Sequence, residues 1–449
     1  MQLNISEVAN QLNGQRLGDD VSFSNVSTDT RSIVKGDLYV ALQGENFDGH
    51  DFLQQAQDSG AVAAMVSRQL KIMMPLLQVE DTRLGLGQLS ALWRGQFSLP
   101  CIAVTGSNGK TTVKEMLSAI LSQKGSVLAT IGNLNNEIGV PLTLLRLQEF
   151  HQSAVIEMGA NHAGEIQYLS QLVRPDVAIV TNAGPAHLEG FGDLNGVANA
   201  KGEIFSSLNM NGTAIVNQDD QFASLWKELV GNRKIISFGL DQSADVTATW
   251  KQIDSSLALH VQTPLGECEI NLQLLGRHNV MNALAAIAAA IAVDANLSMI
   301  VSGLESMESV NGRLQIQHGL PGMKILNDTY NANPASYEAA LSAMTDMSGE
   351  RWLALGDMGE LGESAIDMHR QCGELARKKG IKKLYAIGEL ARHAVDSFGE
   401  SGVWFESLPA MIESIKNDWS GDGVLLVKGS RLMHMERLIS GLQSGGDNS

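Results

Sequence analysis

The sequence predicts an α/β protein of three domains, and three observations support this fold class. The chain has 449 residues, which is too long for one ordinary hydrophobic core. Short apolar runs that end in polar residues, such as CIAVTG, SAVIEMG and DVAIVTNAG, alternate with helical patterns, as buried parallel strands do. A second alternating series fills the last third of the chain. We therefore expect domains at residues 1–83, 84–311 and 312–449.

The first two domains differ in their patterns. Residues 1–83 mix the strand candidates DLYVAL and AAMVS with a helical pattern near 51–59, which predicts a small N-terminal α/β domain. Strands and helices alternate over residues 84–311, so we expect a central parallel sheet of the P-loop ATPase type. Within it, residues 244–275 alternate with period two around a TPLGE turn. This alternation predicts an antiparallel excursion beside the main sheet.

The C-terminal domain, residues 312–449, contains five further strand candidates: KILNDTY, RWLALGD, KLYAIGE, GVWF and GVLLVKG. Helical patterns separate them, notably at 334–346 and 363–379. Such a series is typical of a Rossmann-like, doubly wound sheet.

Composition limits the class of partner and the compartment. The net charge of −17 argues against a nucleic-acid or anionic membrane surface, although local cations can still bind small anions. The longest apolar stretch, 282–293, is too short to span a bilayer, and no secretory signal is visible at the N-terminus. Three widely spaced cysteines fit a reducing compartment. We expect a cytoplasmic protein without integral membrane contact.

Residues 102–113, IAVTGSNGKTTV, predict a phosphate-binding turn between a strand and a helix. Gly106 and Gly109 would let backbone N–H groups converge on phosphate oxygens at the helix N-terminus. Lys110 would reach the β- and γ-phosphates, and the Thr111 hydroxyl would ligate Mg²⁺. Val104 stands where the standard motif has its first glycine, and the alternative is a glycine turn with an incidental lysine. No Asn-Lys-x-Asp run follows, so we expect ATP rather than GTP.

Two polar residues follow neighbouring strand candidates and suggest a metal site. Glu157 ends the run AVIE, and His187 comes just after the next strand; strand ends of this kind border the ligand crevice of open α/β sheets. A carboxylate and a neutral imidazole suit a divalent ion, although a loop histidine bonded to backbone is the alternative for His187. Lys201 is predicted to open a helix about fourteen positions later, where a solvated surface role is the default.

The order of motifs resembles the Mur ligase family of ATP-dependent amide-forming enzymes over essentially the whole chain. The shared motifs are TGSNGKTT, IEMGA, NAGPAHLEGFG, AKGEIF, GRHNVMNALAA and NGRLQ. NDTYNANPAS, LGDMGELGE, STDTRSIVKGDLYVAL and GENFDGHDF resemble the members that add D-alanyl-D-alanine to a UDP-N-acetylmuramoyl-tripeptide. No Asp-Asn-Pro-Arg signature of the diamino-acid-adding members is present. The resemblance implies ATP-dependent formation of that amide bond, through an acyl phosphate, in peptidoglycan precursor synthesis.

The resemblance also implies roles for individual positions. The implied catalytic residues are Lys110, His187, Lys201 and Arg313. The implied ATP-binding residues are Thr105, Gly106, Ser107, Asn108, Gly109, Lys110, Thr111, Thr112, His278, Asn279, Asn282, Arg313, Asp328, Tyr330 and Asn331. The implied metal ligands are Thr111, Glu157, His187 and Lys201, the last as a carbamate, with two Mg²⁺ sites. The implied substrate-binding residues are Ser27, Thr28, Asp29, Arg31, Asn46, Asp48, Gly49 and His50 for the UDP-sugar, and Asn135, Asn136 and Glu137 near the substrate junction.

Several points stay open at the level of sequence. CO₂ adds only to a neutral amine, so a carbamate requires a lowered pKa of Lys201. His187 or a nearby carboxylate is a candidate base for the incoming amine. A nucleotide-dependent switch and a family member with another amino substrate are the alternative functions. We expect small-molecule partners only, a monomer, D-alanyl-D-alanine bound by the C-terminal domain, and closure of that domain about residues 311–313. The third residue of the tripeptide, diaminopimelate or lysine, is not indicated.

Overall fold

A computed structural model of the chain describes residues 2–185, 188–253, 255–307, 309–419 and 421–443. The predicted α/β class is confirmed, since sheets of mainly parallel strands, covered by helices, follow one another along the chain. Within the described part, no helix is both long enough and apolar enough to cross a bilayer.

The N-terminal part is a small mixed sheet with helices beside it. Its strands are β1 (Leu3–Asn4), β2 (Gln15–Leu17), β3 (Ser22–Phe23), β4 (Asn25–Ser27), β5 (Asp37–Val40), β6 (Ala63–Val66) and β7 (Leu76–Gln78). Its helices are α1 (Ile5–Gln11), α2 (Leu53–Asp58) and α3 (Thr82–Arg94). The sheet order is β2-β7-β6-β5-β4, with β4 to β7 parallel and β2 antiparallel to β7. The predicted strands DLYVAL and AAMVS correspond to β5 and β6, and α2 corresponds to the pattern near 51–59.

Helix α3 joins the N-terminal and middle parts through a shared hydrophobic core. It begins after Asp81, whose carboxylate accepts the backbone N–H groups of Arg83 and Leu84 at 2.7 and 3.0 Å and so caps the helix. Its buried Leu86 belongs to the same apolar cluster as Met65 of the first sheet and as residues of the next sheet. The predicted limit between residues 83 and 84 falls within this helix, and the domain limits stay a prediction.

The middle part contains a parallel sheet and an antiparallel meander. Its strands are β8 (Cys101–Thr105), β9 (Val127–Ala129), β10 (Ser153–Glu157), β11 (Val177–Val180), β12 (Thr213–Asn217), β13 (Lys234–Phe238), β14 (Thr247–Ile253), β15 (Ser256–Thr263) and β16 (Gly266–Leu272). Its helices are α4 (Lys110–Ser122), α5 (Gly139–Leu144), α6 (Glu165–Val173), α7 (Leu188–Phe191), α8 (Leu194–Gly202), α9 (Ala223–Val230), α10 (Arg277–Ala292) and α11 (Leu297–Glu305). The meander β14-β15-β16 is the predicted antiparallel excursion, and its apolar face packs against α10 and α11.

The topology of the parallel sheet creates a crevice at the ends of β8 and β10. The strand order is β13-β12-β11-β8-β10-β9. The chain leaves β8 toward β9 on one side and leaves β10 toward β11 on the other. Because ligands of open α/β sheets bind where the connections diverge in this way, the carboxyl ends of β8 and β10 are the expected binding position. Glu157 of β10 lies beside Val104 of β8 in the register.

The C-terminal part is a second, mainly parallel sheet. Its strands are β17 (Gln315–His318), β18 (Met323–Asp328), β19 (Glu350–Gly356), β20 (Lys383–Ile387), β21 (Gly402–Phe405) and β22 (Gly423–Lys428). Its helices are α12 (Pro334–Thr345), α13 (Ala365–Lys378), α14 (Ala391–Phe398), α15 (Leu408–Asp418) and α16 (Glu436–Gln443). The order is β17-β18-β22-β19-β20-β21. All five predicted strands form, and β17 adds an antiparallel edge that the sequence analysis did not identify.

Candidate active site

The turn between β8 and α4 has the geometry of a phosphate-binding loop. Gly106 and Gly109 have φ values of +147° and +83°, a region that residues with a Cβ atom seldom adopt. A Cβ atom on Gly106 would collide with the Thr181 hydroxyl, and one on Gly109 would collide with the Asn282 side chain. The first N–H groups of α4 have no acceptor within the helix. The loop therefore presents backbone donors at a positive helix end.

Lys110 folds back over this loop. Its ammonium group donates to the carbonyl oxygens of Gly106 at 2.7 Å and Ser107 at 3.4 Å. Burial lowers the pKa of Lys110, an effect that Glu157 opposes and Arg313 reinforces. The ammonium group of Lys110 thus lies at the phosphate loop, as predicted, and is close enough to Glu157 and Arg313 for their charges to act on it.

Contacts from the segment after β11 hold the loop in shape, and the sequence analysis did not identify them. Asn182 accepts the N–H of Ser107 with its carbonyl oxygen and the N–H of Asn108 with its side-chain oxygen, each at 3.0 Å. The Thr181 hydroxyl donates to the carbonyl oxygen of Asn108 at 2.6 Å. The position of TN at a strand end beside the loop strand is a signal that could have indicated this role.

Arg313 reaches the phosphate loop from the segment that leads into the C-terminal part. Its Nη2 donates to the Thr111 hydroxyl at 2.9 Å, and its guanidinium carbon lies 4.1 Å from the centre of the Tyr330 ring. Its Nε is buried and has no hydrogen-bond partner in the described structure. The guanidinium group of Arg313 is thus directed at the phosphate loop, and its Nε–H group remains available to a further acceptor.

Glu157 has one carboxylate oxygen that is satisfied and one that is not. Oε1 accepts from the Asn135 amide at 2.8 Å, while Oε2 is buried without a hydrogen-bond partner in the described structure. The side chain is 1% exposed. An uncompensated buried carboxylate oxygen is unfavourable, and it is the type of ligand that Mg²⁺ prefers. This site therefore fits a divalent cation.

The other predicted metal ligands have different outcomes. His187 lies outside the described residues. Within the described ranges, no cluster of three or more His, Cys, Asp or Glu side chains is arranged to hold a metal ion.

Lys201 does not open a helix, so that prediction was wrong. It lies in the last turn of α8, which begins after Asp193, whose side chain caps the helix by accepting the N–H of Gly196 at 2.7 Å. A solvated surface position is also wrong, because Lys201 is 1% exposed. Its ammonium group lies 3.4 Å from the carbonyl oxygen of Ala160 and 5.1 Å from the centre of the Phe191 ring. Burial, aided by Lys110, lowers the pKa of Lys201 to about 7.

The phosphate loop and Glu157 open into one cavity of about 540 Å³. The middle part supplies one wall, and the loops after β18, β19 and β22 supply the other. The predicted site residues among its lining are Ser107, Asn108, Gly109, Lys110, Thr111, Asn135, Asn136, Glu137, Glu157, Arg313, Asp328, Tyr330 and Asn331. The fold therefore brings together residues that are more than 200 positions apart in the chain.

A second cavity, of about 580 Å³, adjoins the first at Gly109 and Arg313. The predicted adenine-side residues His278, Asn279 and Asn282 line it. Asn279 donates to the carbonyl oxygen of Leu275 at 2.8 Å and accepts from Asn282 at 3.0 Å. Burial lowers the pKa of His278 to about 4, so its imidazole is neutral near pH 7.

A buried ion pair closes the C-terminal side of these cavities. Lys428 and Asp328 are register partners at the carboxyl ends of β22 and β18, and their side chains form a salt bridge. Lys428 also donates to the carbonyl oxygen of Asn331 at 3.0 Å. The loop that follows carries Asn333, whose amide donates to the Asn108 side chain at 2.9 Å. Neither Lys428 nor Asn333 was predicted, because their partners lie 100 and 225 positions away.

The UDP-sugar residues form a separate group at the N-terminal sheet. The stretch 27–31 begins at the last residue of β4, and the stretch 46–50 lies in the loop after β5, its parallel neighbour, so both lie beyond the carboxyl ends of adjacent strands. Asp29 forms a salt bridge with Arg31 at 2.6 Å, which lowers the pKa of Asp29 to about 2. Within the described residues, the larger cavities beside the phosphate loop are lined by none of this group.

Some of the predicted substrate-binding residues form hydrogen bonds or ion pairs with other residues of the protein. His50 is buried; its Nδ1 contacts Asp48 at 2.6 Å, and its Nε2 accepts the N–H of Ser67 at 3.0 Å. Asn136 accepts the N–H of Gly139 at 2.9 Å, and Glu137 lies 3.7 Å from Arg83. These contacts shape the loops that carry them.

Three protein-family models, each of one domain, match the sequence of the chain. Residues 22–94 match the Mur ligase family catalytic domain, 104–290 the Mur ligase middle domain, and 312–431 the Mur ligase glutamate ligase domain. A curated relative, the UDP-N-acetylmuramoyl-tripeptide–D-alanyl-D-alanine ligase of Escherichia coli (strain K12), is 45% identical over 98% of both chains. The chain belongs to the Mur ligase family.

Solved structures of Mur ligases agree with this assignment. The structure of MurF from Acinetobacter baumannii is 38% identical and superposes with a TM-score of 0.94 over 99% of both chains. The structure of MurF ligase from Thermotoga maritima, in complex with ADP, is 27% identical, with a TM-score of 0.85 over 94% of this chain and 97% of that one. The sequence resemblance to the Mur ligase family is thereby confirmed.

Proposed function

We propose that this chain is an ATP-dependent ligase that joins D-alanyl-D-alanine to a UDP-N-acetylmuramoyl-tripeptide in peptidoglycan precursor synthesis. The observation that carries the proposal is the shared cavity, in which a phosphate loop and an unsatisfied carboxylate oxygen of Glu157 face loops of the C-terminal part. A near full-length relative that bears this name supports the choice of substrates.

ATP would lie across both cavities. Its phosphates would meet the N-terminus of α4, Lys110 and Arg313, and its base would enter the second cavity beside His278 and Asn282. The ADP complex of the Thermotoga maritima relative supports an adenine nucleotide as ligand. A neutral His278 suits an uncharged base better than an imidazolium would.

Glu157 and Thr111 would hold Mg²⁺, together with His187 and with Lys201 as a carbamate, at two sites. The ion would supply positive charge against the triphosphate. Lys201 suits carbamate formation because its buried amine has no carboxylate partner within hydrogen-bond distance in the described structure, only the carbonyl oxygen of Ala160. Addition of CO₂ would form the N–C bond with loss of one proton, and the resulting carbamate would be an anionic oxygen ligand for the metal ion.

The protein groups around the cavity would then act on the phosphoryl group. Lys110 and Arg313 would screen the γ-phosphate while it moves to the terminal carboxylate of the tripeptide and ADP is released. The amine of D-alanyl-D-alanine would attack the acyl carbon. Phosphate would leave with the electrons of the C–O bond, and the nitrogen would lose a proton. The walls of the cavity would keep water from the acyl phosphate.

The finer assignments belong to the same proposal. We place the UDP-sugar at residues 27–31 and 46–50, the substrate junction at 135–137, and the three functional domains at 1–83, 84–311 and 312–449. The enzyme would act as a cytoplasmic monomer on small-molecule substrates.

Phosphate release tests this function. We expect the purified protein to release phosphate from ATP only when a UDP-linked tripeptide and D-alanyl-D-alanine are both present. The assay would compare tripeptides that end in diaminopimelate or lysine, and D-alanyl-D-alanine with free amino acids. Release without the dipeptide would instead support a nucleotide-dependent switch, and release with a free amino acid would support a different amino substrate.

A further inference from the structure

Helix α13 carries a histidine that the proposed mechanism does not use. His369 is 0% exposed. Its Nδ1 donates to the carbonyl oxygen of Ala365 at 2.7 Å, and its Nε2 accepts the backbone N–H of Met358 at 3.0 Å. Because Nε2 is an acceptor, the imidazole is neutral, with its proton on Nδ1. Burial favours this state, since it lowers the pKa of His369.

The contact with Met358 anchors the segment after β19, residues 357–364, which we call the β19 loop. Two of its residues, Glu360 and Gly362, have φ values of +61° and +55°, and a left-handed conformation costs a non-glycine residue about 1 kcal/mol or more. The loop therefore needs contacts that keep it in this shape. Its first residue, Asp357, supplies two of them: its carboxylate accepts the N–H of Ala391 at 2.7 Å, and its carbonyl oxygen accepts the N–H of Ser430 at 2.8 Å.

The β19 loop forms part of the cavity wall opposite the phosphate loop. Gly359, Glu360 and Leu361 line the cavity together with Ser430 and Arg431 of the loop after β22. The opposite wall holds the groups assigned to ATP and the metal ion. An amine that attacks an acyl carbon held against that wall must approach from the C-terminal side, where these two loops lie.

We propose that His369 is a positioning residue for the amine substrate: by accepting the Met358 N–H, it fixes the β19 loop as the surface on which D-alanyl-D-alanine binds. The proposal rests on the proposed function for the identity of the amine. It does not involve ATP binding, because the second cavity and the phosphate loop are built from other segments.

Two polar substitutions separate the roles of the ring nitrogens. In His369→Gln, the side-chain amide extends to the position of Nε2 and can still accept from Met358. In His369→Asn, the shorter amide ends near the position of Nδ1, so it can contact Ala365 but not Met358. Phe398→Leu is a control for general loss of packing, because Phe398 lies in the same core at the end of α14 remote from Asp357.

We expect His369→Asn to raise the KM for D-alanyl-D-alanine about tenfold, the factor typical of one unmet hydrogen bond of a buried backbone N–H. The KM for ATP should stay within about twofold of the parent value on the same reasoning. His369→Gln should restore most of the dipeptide KM, and Phe398→Leu should leave it unchanged. An unchanged dipeptide KM in His369→Asn, a parallel rise in the KM for ATP, or an equal effect of Phe398→Leu would overturn the proposal.

Hydrogen exchange provides a readout that does not depend on turnover. The amides of residues 357–364 should exchange faster in His369→Asn than in His369→Gln, while the amides of α4 keep their protection. If the parent protein ligates a different amine, the proposed function fails while this exchange result still supports the anchoring role. Equal exchange in the two variants would overturn the anchoring role, whatever the substrate.

Discussion

Lys201 shows how burial changes the chemistry of one side chain. A lysine that is 1% exposed and contacts a carbonyl oxygen and an aromatic ring pays a large cost to remain charged. A pKa of about 7 makes a substantial fraction of the amine neutral near physiological pH. This is the state that reacts with CO₂.

At this scale we predict that Lys201→Ala lowers ligase turnover by roughly a hundredfold or more, as loss of a group at a metal site does. Short-chain carboxylic acids should partly restore activity, because they can supply the missing carbamate oxygens. The measurement is the rate of phosphate release as a function of acid concentration.

Lys114→Ala is the matched control for this rescue. Lys114 is also a buried lysine, but it donates to the carbonyl oxygen of Thr130 at 2.8 Å and pairs with Glu115 at 2.6 Å. Activity lost in Lys114→Ala should not return with added acid. Failure of rescue in Lys201→Ala, or equal rescue in both variants, would contradict the carbamate.

The sequence predicted residues whose signal is local better than residues whose role depends on distant contacts. Gly106, Gly109 and Lys110 stand within five positions, so the loop could be identified directly. The position of Lys201 was predicted wrongly, although Asp193 before LNGVANAKG is the N-cap residue type that should have set the helix start earlier. The ion pair of Lys428 could not be predicted from the sequence, because only the pairing of β22 with β18 brings Lys428 to Asp328.

At the scale of elements, the N-termini of α4 and α6 form an instructive pair. Each helix begins after a glycine with nearly the same φ, +83° for Gly109 and +86° for Gly164. A Cβ atom at Gly164 would meet nothing within 4 Å, whereas one at Gly109 would meet Asn282. Both glycines have a left-handed backbone conformation. Only Gly109 also has a close neighbour, Asn282 of α10, in the space that a Cβ atom would need.

We predict that Gly109→Ala weakens ATP binding by about tenfold or more, and that Gly164→Ala does not. Both substitutions cost about 1–2 kcal/mol of stability for the left-handed backbone. Only Gly109→Ala pushes Asn282 out of the second cavity and displaces the phosphate loop. Titration of each variant with an ATP analogue measures the difference. Equal affinities of Gly109→Ala and Gly164→Ala for the analogue would contradict a role of the loop in nucleotide binding.

Elements followed the sequence patterns where apolar runs were continuous, as in β8, β10 and β22. Strand β17 was missed because QIQH has only one strongly apolar residue, so its assignment depends on pairing with β18. The contribution of α3 to both the first and the middle core could not be predicted either, because an amphipathic pattern does not specify which sheets its apolar face contacts.

For the whole molecule, two side-chain hydrogen bonds between described residues join the C-terminal part to the phosphate loop. Asn333 donates to Asn108, and Arg313 donates to Thr111. Gly312 and Leu314, on either side of Arg313, have φ values of +72° and +51°. A short segment of unusual backbone between two sheets with separate cores is suited to absorb a rotation.

We predict that an ATP analogue with the UDP-tripeptide makes the protein more compact, as the C-terminal sheet rotates as a rigid body about residues 311–313. Small-angle X-ray scattering with and without both ligands measures the radius of gyration. Gly312→Ala, which strains this segment, should reduce the change. Identical profiles for the free and the doubly liganded protein would contradict domain closure.

The bond between Arg313 and Thr111 has a consequence for the order of events. If Thr111 ligates Mg²⁺ as proposed, Arg313 occupies the hydroxyl oxygen to which the ion would bind. The guanidinium group and Mg²⁺ would repel one another at that distance, because both carry positive charge. Binding of the metal–nucleotide complex would then displace the guanidinium group from Thr111 and leave it available to contact the terminal phosphate. Before the nucleotide binds, Arg313 would thus stay on Thr111, and its guanidinium group would become available to the terminal phosphate only after the metal–nucleotide complex has entered the site.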